Sequence, residues 1–574
     1  MQKFTADFNT FTAVEVQAPD ISELQKEFEK ISQQLVTAEK PDAAIAAIEE
    51  AFRFEDQVYT GFDIIYIRHS IDTLDPKYKA LNDLVDQIGP RFNGFDTAFG
   101  NAVLDSKFLP EIEKHFGSLW LAQLRQAKKT FRPEIIPLLQ KENELVSEYG
   151  SLTGGAQLEF RGKVYSISGM GKFTKDRDRA TRKSASALVW KWYADNDAKI
   201  GAIYSDMIKV RTEIAHKLGY DNFIGLAYDR MGRLDWGPTD IHAYREQVRK
   251  YIVPLAQKLR EAQKKRLGFG SDTQYYDYGI FYKEGDPVPR GNPAELMDKA
   301  QVMYDTMDKR TAGRYFATMR SKGMFDLEAK PGKQGGGYES YIPGLKLPFI
   351  FSNFNGTSDD VDVLTHEFGH ALQACLGADQ EVPNYRTPTS ECAEMHSMSM
   401  EFLTYPYMDL FFGTDADRYR YMHLAEAITF IPYGTIVDAF QEYVYANPDL
   451  THEERKAYWR KLELDYLPYR QSFEGNAFLA SGGFFERQGH IFEVPFYYVD
   501  YTISQVVSLE FFVWSLKDHA AAYDKYLAFS SLGGTLPFKA LLKKAQIPNP
   551  MVPPTMAETA AAIESYLEKS NPGK

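Results

Sequence analysis

The sequence predicts a mainly α-helical fold with one small β element. Three observations support this prediction. Most segments before residue 150 and after residue 358 repeat apolar residues at steps of three and four, which is the spacing of an amphipathic helix. Gly-rich stretches interrupt this pattern around 149–155 and within 330–358. Short strand-like runs occur only beside these interruptions, so the β structure should be local.

The N-terminal region is predicted to be helical throughout. SELQKEFEKISQQLVTAEK (22–40) places apolar residues on one helical face, and PDAAIAAIEEAFRFEDQ (41–57) repeats the pattern with a proline near its start. The Gly-rich break around 149–155 is the best candidate for a domain boundary. We therefore expect an N-terminal helical lobe over residues 1–150 and a larger lobe over residues 151–574.

The β segments are expected at two places. QLEFRGKVYSIS (157–168) is typical of a hairpin that turns at Arg161 and Gly162. Helical periodicity resumes from 174 to 270. In the irregular region 330–358, the run LPFIF is a plausible strand, and helices are expected again from there to the end of the chain.

Composition limits the classes of function. A net charge of −13 without any long Lys/Arg run argues against nucleic acid as a partner. No segment has the uninterrupted apolar length of a membrane span, and the first twenty residues lack the features of a secretory signal. Two cysteines among 574 residues suit a reducing compartment, so a cytoplasmic location is expected. The sequence does not indicate an oligomeric state.

The stretch VDVLTHEFGHALQACLG (361–377) contains a His-Glu-x-x-His motif in a predicted helix. Thr357 or Ser358 can act as its N-cap, and Gly377 can end it. His366 and His370 are four residues apart, so their imidazoles project from one face, at the spacing with which two histidines bind one Zn²⁺. The alternative is an accidental match, which a third ligand would make untenable.

Two carboxylates of this helix have predicted roles beside the metal. Glu367 follows the first histidine and is placed to accept a proton from the attacking water. Asp362 lies one turn before His366 and can accept its ring N–H, which would fix the ring orientation. Asp362 can equally be an ordinary acidic residue of the first turn, and the sequence leaves both interpretations open.

The third metal ligand is expected to be a carboxylate. The metzincin pattern is absent, since Gln373 and Leu376 occupy the positions of its glycine and third histidine. TPTSECAEMHSMSMEFL (387–403) instead carries Glu391, Glu394 and Glu401 along one stripe of a second helix. Such a stripe beside apolar residues makes sense if its carboxylates converge on a cation. We predict Glu394 as the ligand of one Zn²⁺ per chain, with Glu401 and Glu391 as supporting or buried polar residues.

Three segments together resemble the thimet oligopeptidase and oligoendopeptidase F family of zinc peptidases, and most closely its bacterial cytoplasmic oligoendopeptidases. The first is HEFGH followed by a glutamate 28 positions after the first histidine. The second is the approach GGGYESYIPGLKLPFIFSNFNGTSDDVDVL, and the third is ERQGHIFEVPFYYVDYTISQ (486–505). The resemblance implies a two-lobed helical ellipsoid with a deep central channel and a zincin-type helix at the channel floor.

The resemblance also implies site residues outside the motif helix. His490 and Tyr501 match the positions that stabilise the oxyanion, while Tyr497 and Tyr498 are weaker candidates and are expected to contact substrate. The spacing from His490 to these tyrosines differs by a small gap from the thimet branch. We further expect an edge strand near Phe354, Gly356 and Thr357 to pair with an extended peptide.

The function expected from these features is a zinc-dependent endopeptidase that hydrolyses internal bonds of short unstructured oligopeptides. Two alternatives are weighed against it. A carboxypeptidase or dipeptidase of similar architecture would need a group that binds a free terminus, and none is recognisable in the sequence. A catalytically silent peptide-binding protein would be expected to have lost Glu367 or a ligand, and both are retained.

Overall fold

The computed structural model describes residues 2–570, and most of them are helical. The helices of the first half of the chain are α1 (Ile21–Thr37), α2 (Pro41–Ile71), α3 (Pro76–Leu104), α4 (Leu109–Phe116), α5 (Ser118–Thr130), α6 (Ile136–Gly154), α7 (Gly171–Thr174), α8 (Arg179–Lys217), α9 (Phe223–Arg230), α10 (Pro238–Gln247), α11 (Val253–Leu267), α12 (Pro293–Asp308) and α13 (Ala312–Lys322).

The second half is helical as well. Its helices are α14 (Asp359–Gly377), α15 (Ser390–Leu403), α16 (Asp409–Phe412), α17 (Ala416–Ala446), α18 (His452–Tyr466), α19 (Ala477–Ala480), α20 (Gly489–Glu493), α21 (Tyr498–Lys517), α22 (His519–Ser530), α23 (Phe538–Lys544) and α24 (Thr555–Ser570). The mainly helical fold class is thus confirmed. None of the helices within residues 2–570 combines the length and apolar character that a membrane crossing needs.

The first helices form for the reasons that their sequence indicates. Asp20 caps α1 by accepting hydrogen bonds from two backbone amides of its first turn. The predicted apolar face of α1 is buried and belongs to a hydrophobic cluster with α2 and α3. The second helix runs to Ile71, well beyond the segment that the periodicity marks, and it continues without a break through Gly61.

A two-stranded hairpin follows the Gly-rich break, as predicted. Its strands are β1 (Leu158–Phe160) and β2 (Lys163–Tyr165), which pair antiparallel with Leu158 opposite Tyr165. Arg161 and Gly162 form the two-residue turn with φ angles of 52° and 75°. Positive φ at both central residues matches the twist of a tight hairpin.

A three-stranded sheet precedes the motif helix. Its strands are β3 (Phe325–Glu328), β4 (Tyr338–Ile342) and β5 (Leu347–Phe354), in the spatial order β3-β5-β4. The central strand β5 contains LPFIF, pairs parallel with β3 and antiparallel with β4, and is almost entirely buried. Helix α14 packs on this sheet, so the sheet positions the first residues of the motif helix.

The contacts divide the chain into two units, each built from three separate segments. The first unit comprises Met1–Lys128, Val288–Ala416 and Glu510–Ile547. The second unit comprises Lys129–Pro287, Asp417–Leu509 and Pro548–Lys574. This division groups segments that are distant along the chain, and the expected domain boundary near residue 150 stays a prediction. The motif helix belongs to the first unit.

Candidate functional site

Helix α14 starts directly after the central strand of the sheet. Ser358, one of the two predicted capping residues, occupies its N-cap position. Asp360 in the first turn accepts hydrogen bonds from the backbone N–H groups of Asn355 and Gly356, both at 2.8 Å. This carboxylate ties the end of β5 to the start of the helix. The helix therefore leaves the sheet in a fixed direction, and the histidine face is oriented with it.

Gly369, between the two histidines, allows α14 to approach α15 closely. A Cβ atom at this position would lie 2.6 Å from Ser397 Cα and 2.7 Å from the carbonyl oxygen of His396. Both are backbone atoms, which cannot move aside as the end of a flexible side chain can. The close approach brings Glu394 on α15 next to the histidine face of α14.

The three predicted metal ligands converge on one point. Glu394 Oε2 lies 3.3 Å from His366 Nε2 and 3.6 Å from His370 Nε2. In a tetrahedral zinc site with bonds of about 2.0–2.1 Å, neighbouring ligand atoms are about 3.3–3.4 Å apart. Two imidazole nitrogens and one carboxylate oxygen at these separations fit a catalytic divalent ion. His366, His370 and Glu394 would hold it and leave one coordination position open.

Glu401 lies behind the first histidine. Its Oε1 atom is 2.6 Å from His366 Nδ1, on the side of the ring opposite to the ligand nitrogen. A carboxylate in this position fixes the ring orientation and keeps Nε2 as the metal-facing atom. Asp362, the other predicted acceptor, is partly exposed one turn before His366. In the structure, the carboxylate next to His366 Nδ1 is that of Glu401. A supporting role for Asp362 stays a prediction.

The charges at this site favour a cation. Burial disfavours the charged imidazolium, but hydrogen bonds to Glu394 and Glu401 outweigh burial and raise the pKa of His366 well above its usual value. Burial alone would raise the pKa of Glu394, yet the two imidazoles outweigh it and hold that pKa well below its usual range. The carboxylate is therefore ionised and ready to bind a positive ion.

Glu367 is buried beside the ligands. Burial raises the pKa of its carboxyl group above the ordinary value, and the neighbouring histidines partly oppose this shift. The backbone N–H of Glu339 on β4 donates a hydrogen bond to the Glu367 carboxylate. A carboxylate that is oriented by the strand and has a raised pKa is a better proton acceptor near neutral pH than an exposed one.

Glu339 is a further residue of the site, and the sequence alone did not indicate it. Burial raises its pKa to about 8, and the carboxylate of Glu367 adds to the shift. Its Oε1 atom is buried and has no hydrogen-bond partner within the described chain. Burial therefore favours the neutral form of the Glu339 carboxyl group beside Glu367. Nothing in its sequence context marks it, because its neighbours are ordinary polar and aromatic strand residues.

The strand that ends at Phe354 is the central strand of the sheet. The prediction of an edge strand near Phe354, Gly356 and Thr357 is therefore wrong, whereas contact of these residues with substrate stays a prediction. Phe354 ends the central strand and pairs with Glu328 of β3, while the register with β4 reaches only as far as Phe351. The N–H of Gly356 is bonded to Asp360 and is not available to a peptide. The edge strand next to α14 is β4 instead. The local pattern does not reveal this arrangement because β3 joins the sheet from a distant part of the chain.

The second unit brings together the other four predicted residues. The ring centroids of His490 and Tyr498 are 4.8 Å apart, and those of His490 and Tyr501 are 6.0 Å apart. Tyr497 packs edge-on against Tyr501 at 5.1 Å. These four rings form one cluster at the start of α21.

Two further residues, which the sequence reasoning missed, orient His490. The hydroxyl of Tyr433 donates to Gln488 Oε1 at 2.6 Å, and Gln488 Nε2 lies 2.8 Å from His490 Nδ1. With its oxygen accepting from the tyrosine, the amide donates to Nδ1 and leaves the imidazole proton on Nε2. Burial lowers the pKa of His490, which keeps the ring neutral. His490 is therefore prepared to donate one hydrogen bond from Nε2.

Comparisons with known families match both parts of the chain. The model of the peptidase M3 N-terminal domain matches residues 11–131, and the model of peptidase family M3 matches residues 172–560. The second match covers more than half of the 574 residues and includes the motif helix, α15 and the His490 cluster.

Individual relatives agree with this family. One solved structure, of a protein assigned as an oligoendopeptidase F, is 40% identical to this chain with a TM-score of 0.91. The match covers 98% of this chain and 99% of that one. A solved structure of PZ peptidase A with an inhibitor is 38% identical with a TM-score of 0.92, and covers 98% and 100%. Oligopeptidase PepF of Bacillus subtilis strain 168 is 21% identical, over 95% of this chain and 84% of the relative.

Proposed function

Because this chain belongs to peptidase family M3 and is therefore a metallo-oligopeptidase, we propose that it is a zinc-dependent endopeptidase. It hydrolyses internal bonds of short, unstructured oligopeptides. The observation that carries this proposal is the convergence of Glu394 Oε2 with the Nε2 atoms of His366 and His370, at 3.3 and 3.6 Å.

One zinc ion per chain is the proposed cofactor, held by His366, His370 and Glu394. Two imidazoles and one carboxylate form a typical ligand set of catalytic zinc. The bound ion would lower the pKa of a water molecule at its open position and polarise the scissile carbonyl. Glu401 holds the ring of His366 in the orientation that this coordination needs.

Glu367 is the proposed general base. Its carboxylate takes a proton from the attacking water and then delivers a proton to the departing amine, so that the same group serves both halves of the reaction. Two features support this role. The N–H of Glu339 holds the carboxylate in place, and burial raises the pKa of Glu367 toward the range in which accepting and returning a proton are both feasible.

Tyr501 and His490 are the proposed donors to the oxyanion. The support for Tyr501 is its place in the segment that resembles the family's His/Tyr cluster. The support for His490 is also chemical, since Gln488 leaves its proton on Nε2. Each well-placed donor of this kind contributes roughly 2–4 kcal/mol of transition-state stabilisation. Tyr497 and Tyr498, which pack in the same cluster, are proposed to contact substrate.

Substrate recognition is proposed to use the edge of β4. In the antiparallel pair, Tyr341 lies opposite Pro348, which has no N–H, so this is a pair without mutual hydrogen bonds. The backbone groups of Tyr341 therefore point away from β5, toward the free edge. An extended peptide that paired there would gain affinity with little side-chain selectivity. A cytoplasmic location, consistent with only two cysteines, is also proposed.

The proposal is tested with a peptide of about ten residues whose ends are acetylated and amidated. The metal-loaded protein should cut it at internal bonds, with products identified by mass spectrometry. A chelator should abolish cleavage, and added Zn²⁺ should restore it. Glu367→Gln, which keeps the three ligands, serves as the inactive control and excludes a contaminating peptidase. Cleavage only of peptides with a free terminus would refute the endopeptidase assignment, and full activity in the chelator would refute the metal dependence.

A further inference from the structure

A second cluster of ligand-type side chains lies in the second unit, apart from the residues discussed so far. It consists of Asp197 on α8, His452 at the start of α18, and Glu486 in a short 3-10 turn at Gly483–Arg487. His452 Nε2 lies 2.7 Å from Asp197 Oδ1 and 3.2 Å from Glu486 Oε1. One nitrogen thus faces two carboxylate oxygens.

The protein compensates the burial of Glu486 only in part, through the imidazole of His452 at 3.2 Å. Its side chain is 0% exposed, and neither carboxyl oxygen has a hydrogen-bond partner within the described chain. Burial and the neighbouring Asp197 raise the pKa of Glu486 to about 11. A carboxylate that is buried and charged without full compensation is strongly unfavourable. Either a proton or a cation must therefore neutralise it.

The surroundings make room for the cluster and orient it. Gly201, one turn after Asp197 on α8, leaves the space that the imidazole fills, because a Cβ atom there would lie 2.7 Å from the ring of His452. Lys456 Nζ lies 2.8 Å from Asp197 Oδ2 and so turns the other oxygen, Oδ1, toward His452. Carboxylates that bind metals are commonly held in this way by a second hydrogen bond.

We propose that Asp197, His452 and Glu486 bind a second divalent transition-metal ion. One nitrogen and two oxygens suit Mn²⁺ or Zn²⁺. In an octahedral site with bonds of about 2.1 Å, neighbouring ligand atoms are about 3 Å apart, and the separations of 2.7 and 3.2 Å lie on either side of this value. The ion replaces the proton of Glu486, which is released to solvent, and its positive charge compensates the buried Glu486 carboxylate beside Asp197, which already pairs with Lys456.

The position of this ion suggests a structural role. It would join α8, α18 and the 3-10 turn, which are far apart along the chain. The turn is followed within a few residues by Gln488 and His490, whose contact sets the proton position of the imidazole. Metal binding at the cluster would therefore stabilise the segment that presents His490 without touching the substrate.

The number of bound ions tests the proposal without any measurement of activity. Wild-type protein is loaded with Mn²⁺, and in parallel with Zn²⁺, and its metal content is measured after removal of free ion. Two equivalents per chain are expected, with one lost in His370→Ala and the other lost in Glu486→Gln. Gln resembles the protonated carboxyl group in size and charge, so the fold should be retained. Circular dichroism and the unfolding temperature check this for each variant.

An anomalous-scattering map of a Mn²⁺-soaked crystal gives a second measurement on the unmodified chain. A peak among Asp197, His452 and Glu486 is expected. Two results together would overturn the proposal: only one equivalent of either metal, which is lost in His370→Ala, and no peak at the cluster. The buried charge would then be neutralised by a proton shared by Glu486 and Asp197. Peptide cleavage does not enter this test, so the proposal fails or stands separately from the proposed function.

Discussion

Replacing Glu401 with Gln measures how strongly the carboxylate behind His366 supports metal binding. The Glu401 Oε1 to His366 Nδ1 distance is 2.6 Å, and the side chains are only 12% and 23% exposed, so solvent screens the contact weakly. Hydrogen bonds to a charged group are worth about 1.5–3 kcal/mol. Since about 1.4 kcal/mol corresponds to a factor of ten, the affinity for Zn²⁺ should fall roughly 10- to 100-fold, as is typical for such partners of metal-bound histidines.

The assay is equilibrium competition with a chromophoric chelator of known affinity, which gives the Kd of each variant. Glu401→Gln keeps the size of the side chain and an acceptor oxygen and removes only the charge, so the fold should be unaffected. Asp362→Asn on α14 is the matched control, because the position on His366 Nδ1 is taken by Glu401. Its Kd should stay within about threefold of the wild-type value, below the loss expected for a charged partner.

The result that would refute this reasoning is specific. An unchanged Kd in Glu401→Gln would mean that the carboxylate charge does not stabilise the bound form. A loss in Asp362→Asn equal to that in Glu401→Gln would mean that both carboxylates share the role, or that the contact with His366 differs when metal is present. In either case the assignment of Glu401 as the orienting group would fail.

Four other substitutions have definite expected results. Glu367→Gln should keep its metal, measured by elemental analysis, and lower kcat by about 10²–10⁴-fold, because only the proton acceptor is lost. Gly369→Ala should lower the free energy of unfolding in urea by about 1–3 kcal/mol, since its Cβ would meet the backbone of α15. The control is Gly94→Ala in α3, where a Cβ meets nothing within 4 Å, and it should raise the free energy of unfolding by up to about 1 kcal/mol. Gln488→Leu should lower kcat about tenfold with unchanged metal content, because the neighbouring imidazole loses its fixed proton position.

Features that depend on residues close in the chain could be predicted from the sequence. The apolar face of α1 follows from periodicity alone, and the hairpin turn at Arg161 and Gly162 follows from the short strands around it. The pairing of His366 with His370 is equally local, because four residues always return a helix to the same face. These predictions needed no knowledge of which elements become neighbours.

Features that depend on distant neighbours could not be predicted in the same way. Whether β5 is an edge or a central strand is decided by β3, which begins more than twenty residues earlier and pairs parallel with it. The contacts of Glu339 with Glu367 and of Tyr433 with Gln488 likewise join residues that are far apart along the chain.

The separation of roles between Glu394 and Glu401 shows where sequence reasoning reaches its limit. The two glutamates are seven residues apart, which is about two helical turns, so both project from one face of α15 and both can be predicted to meet the histidines. Which of them contacts Nε2 and which contacts Nδ1 of His366 depends on how α15 crosses α14. That crossing is set at Gly369, where the absence of a Cβ lets the two backbones touch. The glycine within the motif thus permits the close approach of α14 and α15 on which the placement of both carboxylates depends.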